Sequence, residues 1–249
     1  MQQLLIDVGN TRLKWLMFDG GEVAKDIASS AVTHKQNFQL AMQQSCNEVD
    51  KPDEIWVSNV AGLDAEQSIA LYSKAKWNMG VNFVEVKRKT EGVEVGYKDL
   101  NELGVDRWLA ILGSRELIKK GAVIVVNLGT AITVDYLNDQ NQFLGGAILP
   151  GFDLSLRALN QTARINNSSW QQNVNKLVGD STLDCASIGV AAACIGGIER
   201  LIDAIKQQQP DCKVIISGGA ASVFMDASKL EYEYDANLVI RGLMRISRS

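Results

Sequence analysis

The sequence is poor in the residues from which many catalytic centres are built. It has one histidine, His34, in the polar run Thr33-His34-Lys35-Gln36, where it reads as solvated. One imidazole builds no zinc site and argues against a histidine-based triad, which leaves carboxylates for proton transfer. The four cysteines, Cys46, Cys185, Cys194 and Cys212, are scattered without C-x-x-C spacing. That excludes a metal ribbon or a disulfide framework and reads as small side chains in a reducing compartment. Prolines number three, and no Pro/Ser-rich linker occurs, so the halves of the chain are expected to pack closely. No basic block is present, and the net charge of −4 comes from charges of both signs spread along the chain. This argues against nucleic acid and membrane surfaces. No apolar run approaches the ~18 residues of a membrane span, and Met1-Gln2-Gln3 leads into apolar residues without a basic segment, so a soluble, cytoplasmic protein is expected. Neither a G-x-x-x-x-G-K-[ST] loop nor an H-R-D loop occurs, and those kinase designs are out.

What is present begins at Leu4–Lys14. Leu4-Leu5-Ile6 runs into Asp7, Gly9-Asn10-Thr11 makes a turn, and Leu13, Trp15, Leu16, Met17 and Phe18 lead away. The pattern is a buried strand, a tight turn and a second strand. Gly9 lets the backbone approach a ligand, Asn10 and Thr11 offer short polar groups, and Lys14 adds a positive charge. Asp7, ending the buried strand, is placed to hold a hydrated Mg²⁺. An acid, a glycine, a hydroxyl and a lysine on one hairpin are the parts of a metal–phosphate site, although an ordinary hairpin can carry the same turn.

The hairpin has an echo. Ala122–Asn127 is apolar until its last residue, Leu128-Gly129-Thr130-Ala131 follows, and Ile132–Leu137 leaves. Aligning Asp7-Val8-Gly9-Asn10-Thr11 with Asn127-Leu128-Gly129-Thr130-Ala131 superposes the two, which implies two half-molecules of one design. Such a pair would grip a phosphate chain from both sides. A third glycine turn, Ser217-Gly218-Gly219, follows the apolar Val214-Ile215-Ile216 and would lie near adenine or ribose.

The remaining chain reads as follows. Glu22–Ser29 is a candidate strand, and Thr33 a candidate cap for a helix to about Val49. Glu54–Val60 is a strand, Asp64 caps a helix carrying Ile69, Tyr72 and Trp77, and Val81–Val86 is another strand. Lys87–Lys98 is an irregular, glycine-containing stretch of the kind that carries function. A helix follows over Trp108–Lys120. Later elements are a strand over Gln142–Leu149, turns at Gly145-Gly146 and Pro150-Gly151, and a helix around Leu154–Leu159. The segment Gln161–Asn175 is polar, and a long helix runs from Gly179-Asp180-Ser181-Thr182 to about Gln208. A strand over Lys213–Ser217 and a helix over Leu238–Ile246 close the chain. Gly189, Gly196 and Gly197 within the long helix imply close packing, either against a second copy or within one chain.

Five motifs in order resemble one family. They are Asp7-x-Gly-Asn-Thr-x-x-Lys14, Gly104-Val-Asp-Arg-Trp108, Leu128-Gly-Thr-Ala-x-Thr-x-Asp135, Gly145-Gly-x-Ile-x-Pro-Gly151 and Ser217-Gly-Gly219. Together they span nearly the whole chain. The chain is similar to type III pantothenate kinases of the acetate kinase/sugar kinase/Hsp70/actin superfamily. The resemblance implies an α/β fold of two related actin-like (ribonuclease H-like) domains, over residues 1–105 and 106–249, with mixed sheets flanked by helices and a nucleotide cleft between them. It also implies ATP with Mg²⁺, pantothenate as acceptor and a homodimer. Nucleotide contacts fall on Asp7, Val8, Gly9, Asn10, Thr11, Arg12, Leu13, Lys14 and Thr130. Acceptor contacts fall on Tyr97, Gly104, Val105, Asp106, Arg107 and Thr182, with Thr182 completing a pocket across the dimer.

Asp106 is the expected general base, since a kinase acting on a primary hydroxyl needs a carboxylate within reach; an ordinary helix cap is the plainer role. Arg107 is a partner for a substrate carboxylate or a phosphate oxygen, or else a surface arginine. The pattern departs from the family at Asn127, where an aspartate is expected beside a monovalent cation. Asparagine brings no charge, so the implied K⁺ or NH₄⁺ requirement is weakened. A kinase for another hydroxy acid or sugar, and a non-enzymatic actin-like ATP-binding regulator, are the alternatives.

Overall fold

The structure, a computed structural model, describes residues 1–21, 30–33, 37–161 and 176–248, the strand at 30–33 by its backbone alone. The strand expected over 22–29, His34, and all of the polar segment after Gln161 lie outside these residues. In chain order the elements are β1 (Gln3–Val8), β2 (Arg12–Phe18), β3 (Ser30–Thr33), α1 (Phe38–Cys46), β4 (Glu54–Asn59), α2 (Leu63–Trp77), β5 (Asn82–Phe83), β6 (Lys89–Thr90) and β7 (Val93–Val95). They continue with α3 (Val105–Leu117), β8 (Val123–Leu128), β9 (Ala131–Leu137), β10 (Gln142–Pro150), α4 (Phe152–Asn160), α5 (Thr182–Gln208), β11 (Lys213–Ser217), α6 (Ala221–Ala227), β12 (Glu233–Tyr234) and α7 (Leu238–Ser247).

Two compact units form. The first comprises Met1–Lys120, Asn141–Leu144 and Asn237–Ser249; the second comprises Gly121–Gln140 and Gly145–Ala236. Thus α3, which the sequence reading put at the head of the second half, belongs with the first unit.

In the first unit the sheet order is β3-β2-β1-β4-β5. Side chains alternate across a strand, so β1 has two faces. Leu4, Ile6 and Val8 join a core with Phe38 and Met42 of α1 and with Ala65, Ile69 and Trp77 of α2. The other face carries Gln3, Leu5 and Asp7, and here α3 and α7 pack. Gln3 shows the contact: its Nε2 donates to Ser247 O (2.9 Å), and Ser247 Oγ donates back to Gln3 Oε1 (2.9 Å). The two helices touch backbone to backbone. A Cβ on Gly113 would lie 2.1 Å from Leu238 O, and one on Gly242 would lie 2.1 Å from Leu109 O. Only glycine fits at either place.

The second unit orders its strands β12-β11-β8-β9-β10, with β8 antiparallel to β9 and parallel to β11. Ile124, Val126 and Leu128 of β8 pack with Val190, Cys194, Ile198 and Ile202 of α5 and Phe224 of α6. Among the described residues one helix, α5, is long and apolar enough to cross a membrane by length and composition, with an 18-residue window of mean hydropathy 1.6. The buried side of α5 faces the sheet, as in a core helix.

Helix starts were misread where a polar side chain was taken for a cap. Asn37, not Thr33, caps α1, accepting from Leu40 N at 3.0 Å. Gly62 rather than Asp64 precedes α2, and Asp64 sits in its first turn. Asp106 is likewise not the cap of α3; Gly104 is. The strand expected over Val81–Val86 shrinks to two residues. Gly145-Gly146 lies inside β10 rather than in a turn. Close approach at the α5 glycines holds for Gly197, whose Cβ would meet Leu149 Cδ2 at 3.0 Å, while around Gly189 and Gly196 nothing lies within 4 Å.

Candidate active site

The first hairpin places Asp7 opposite Lys14 on β2 and opposite Ser58 on β4. These three form a row across the sheet on the face that α3 covers. The turn is closed by Gly9 N donating to Arg12 O at 3.0 Å, with Asn10, Thr11 and Arg12 exposed and Val8 and Leu13 buried as its apolar feet. Asp7 as a residue is half-buried, but its Oδ1 is shut off from solvent and has no hydrogen-bond partner. Ser58 Oγ, fully buried, makes no hydrogen bond of ordinary geometry, yet it stands near enough to the Asp7 carboxyl to favour its charged form. Burial pushes the Asp7 pKa from 3.8 up to about 6, and the charge of Asp106 adds to the rise, while Lys14 and the Ser58 hydroxyl pull it down. Two carboxylates therefore sense each other.

A buried carboxylate oxygen without a donor suits a hydrated cation. Among the described residues no group of three or more His, Cys, Asp or Glu side chains is arranged to hold a metal. A lone carboxylate oxygen fits a divalent cation that keeps most of its own waters.

Asp106 is the second residue of α3, and burial raises its pKa. Its Oδ1 accepts from Arg107 N at 2.8 Å. That fold-back explains the neighbouring glycine, since a Cβ on Gly104 would lie 2.6 Å from Asp106 Oδ1. Val105 begins the helix, half-buried. Arg107 is buried, which removes the reading of a surface arginine. Its Nη1 donates to Tyr97 Oη at 3.0 Å, and its Cζ lies 5.9 Å from the Tyr97 ring centroid. The Tyr97 ring in turn sits 6.0 Å from that of Phe143. Asp7, Lys14, Tyr97, Asp106 and Arg107 are thus brought into one unit, with Arg107 next to Asp106 and hydrogen-bonded to Tyr97.

The second unit holds Asn127, Thr130 and Thr182. Asn127 pairs with Thr133 on β9 and with Ser217 on β11, so Thr133–Asn127–Ser217 is a row built like Lys14–Asp7–Ser58. Gly129 N donates to Ala131 O at 3.0 Å, and exposed Thr130 accepts through its backbone O from Gly151 N at 3.0 Å. Asp135 lies two rows further along, opposite Val125, and is buried. Thr182 is exposed at the start of α5, directly after the cap Ser181.

Sequence reasoning overlooked Ser58 and Phe143. Ser58 had a signal, a lone hydroxyl within the apolar Ile55-Trp56-Val57 strand that pairs with β1. Phe143 had none, because its place beside Tyr97 follows from β10 pairing with β7.

A model of the type III pantothenate kinase family matches residues 3–204. The type III pantothenate kinase of Alcanivorax borkumensis is 30% identical over 247 residues, covering 98% of each chain. That of Dichelobacter nodosus is 33% identical over 246 residues, 96% of this chain and 95% of that one. Among solved structures, the activator of the 2-hydroxyisocaproyl-CoA dehydratase from Clostridium difficile is similar with a TM-score of 0.56 at 11% identity, covering 98% of this chain and 92% of that one. A ROK family protein from Streptococcus pneumoniae gives 0.52 at 10% identity, covering 99% and 97%. Likeness at such low identity carries the fold alone: α/β, with mixed sheets flanked by helices. The family match and the near-full-length relatives go further than fold, and this chain belongs to the type III pantothenate kinase family.

Proposed function

We propose that this kinase transfers the γ-phosphoryl group of ATP to the primary hydroxyl of pantothenate, giving 4′-phosphopantothenate, the first step of coenzyme A biosynthesis. The observation that carries the reading is the Asp7–Asp106 pair with Tyr97 and Arg107 in the same unit, in a chain of this family. Phosphoryl transfer asks for positioning and charge neutralisation more than covalent chemistry. Asp106 orients the acceptor hydroxyl and takes its proton as the oxygen–phosphorus bond forms and ADP leaves; its burial-raised pKa makes it the stronger base. Asp7 holds, through waters, the Mg²⁺ that neutralises phosphate charge when bound. The turn from Val8 to Leu13 and the exposed Thr130 contact phosphates, and Lys14 offsets developing charge. Gly104, Val105, Tyr97 and Arg107 receive the acceptor, Arg107 as partner for its carboxylate.

The working form is a homodimer in which Thr182 reaches the acceptor of the partner subunit. Support comes from the exposed side of α5, where Cys185, Gly189, Ala192, Ala193 and Gly196 are all small, and from Leu177 and Val178 beside its start, 94% and 80% exposed. The compartment is the cytoplasm, in keeping with four free cysteines.

The test is a panel of hydroxylated acids and sugars offered with Mg²⁺–ATP, with ADP release as readout. Pantothenate is expected to be the one that drives turnover. ADP release that ignores every acceptor would instead favour an ATP-binding regulator.

A further inference from the structure

We propose that Arg88 is a positioning residue for the acceptor site, its guanidinium gripping the main chain around Tyr97 so that the phenol stays on Arg107. Arg88 is exposed, one residue ahead of β6. Its Nη1 donates to Val95 O at 2.8 Å and also to Tyr97 O, and its Nη2 donates to Lys98 O at 3.3 Å. Three carbonyls within four residues thus converge on one planar group.

The surroundings explain why a clamp is needed there. β6 and β7 form a hairpin whose two loop residues, Glu91 and Gly92, have φ of 49° and 80°, the signature of a tight primed turn. Its tip is tied down, since Arg245 Nη2 donates to Glu91 O at 3.1 Å. Its exit is not in a strand: regular pairing stops at Val95, and only Gly96 N donating to Phe143 O at 2.8 Å continues it. Tyr97 follows at once, with its hydroxyl required 3.0 Å from Arg107 Nη1. A guanidinium has five donors in a rigid fork and can hold several carbonyls in a fixed arrangement, whereas a lysine ammonium is a point charge on a flexible stem. Arg88 touches no reacting atom; it acts through Tyr97.

The inference rests on the acceptor role proposed for Tyr97 and Arg107, and its experiment has two arms. In the first, amide hydrogen exchange is followed at residues 96–98 in wild type, Arg88→Ala and Arg88→Lys, without substrates. Both variants are expected to exchange ~10-fold faster there, with the thermal midpoint unmoved. Unchanged exchange would overturn the clamp, whatever the enzyme phosphorylates. In the second, steady-state kinetics with pantothenate should show the acceptor KM raised ~10-fold in both variants, with KM for ATP unmoved and the loss falling on KM rather than on kcat. Arg88→Ala combined with Tyr97→Phe should cost no more than Tyr97→Phe alone. Restoration by lysine, or losses that add, would show that Arg88 does not work through Tyr97. A wild type that ignores pantothenate would sink the proposed function and leave the exchange arm to decide the clamp.

Discussion

The two glycine hairpins are built alike and charged differently. In each, a strand carries a polar residue at its last position but one, a glycine donates its N–H back across the turn, and a parallel neighbour supplies a serine to the same row. The first row is Lys14–Asp7–Ser58 and the second is Thr133–Asn127–Ser217. One carries a buried, partnerless carboxylate oxygen with its pKa displaced upward; the other carries no charge at all. The backbone scheme can therefore be repeated while the charge is confined to one copy. The first hairpin is costly to keep empty and has a use for a cation; the second is neutral whether or not a ligand is present.

The most direct way to break the contrast is to make the first row as neutral as the second. Asp7→Asn removes the anchor proposed for hydrated Mg²⁺, worth several kcal/mol of charge stabilisation, so kcat/KM with Mg²⁺–ATP should fall on the order of 10³-fold. A variant within tenfold of wild type would show that the charge of Asp7 is not what distinguishes the hairpins. Next in size, Asp106→Asn should lower turnover ~10²-fold or more while nucleotide binding, followed by calorimetry, stays close to wild type. Retention of most of kcat would take Asp106 out of the base role.

The same Asp7→Asn variant should gain stability. Because the folded-state pKa is about 6 against an ordinary 3.8, the folded protein holds this proton more tightly than the unfolded chain does. Stability from this group therefore falls as pH rises from about 4 to about 6 and stays lost above that. At pH 7.5 in a metal chelator the variant should be about 2 to 3 kcal/mol more stable to urea than wild type, and near pH 3.5 the two should coincide. A wild type that is the more stable at pH 7.5 would mean that Asp7 is compensated in the folded protein.

The smallest expected effect sharpens the comparison from the other side. Asn127→Asp makes the second row anionic. Beside a triphosphate, unit charges about 4 Å apart at an effective dielectric near 20 repel by roughly 4 kcal/mol, a cost that a bound K⁺ removes. The variant should need K⁺ or NH₄⁺ for full activity, with a ~10-fold stimulation, whereas wild type should change less than ~2-fold. Titrating KCl against a bulky organic cation at constant ionic strength measures both. A wild type that is inactive without K⁺ would show that Asn127 and nearby carbonyls build a cation site without a carboxylate.

Much of this was legible in the order of residues. Both hairpins were readable because their signals are local: an apolar run ending in Asp7 or Asn127, a glycine, and a second apolar run. The length of α5 was readable for the same reason. The cap of α3 was not, because Asp106 looks like a capping side chain, and only the backbone shows that its oxygen folds onto its own helix where a Cβ of Gly104 would stand. Ser58 and Phe143 came from strand pairings of distant segments, which no short window of sequence contains. The burial of Arg107 likewise depends on how α3 sits in its unit, and its charge alone suggested the surface.

The contact of α3 with α7 through Gly113 and Gly242 bears on how the enzyme is made. A ribosome releases the chain from its N-terminus, so Asp106 emerges long before residues 237–248. Between Lys120 and Asn237 lie more than a hundred residues, most of them the second unit, and at roughly 5–20 residues per second their synthesis takes on the order of ten seconds. Through that interval the helix bearing Asp106 lacks the neighbour whose backbone it is shaped to meet. The second unit has the chance to fold first, and the first unit is finished only once residues 237–248 have been made.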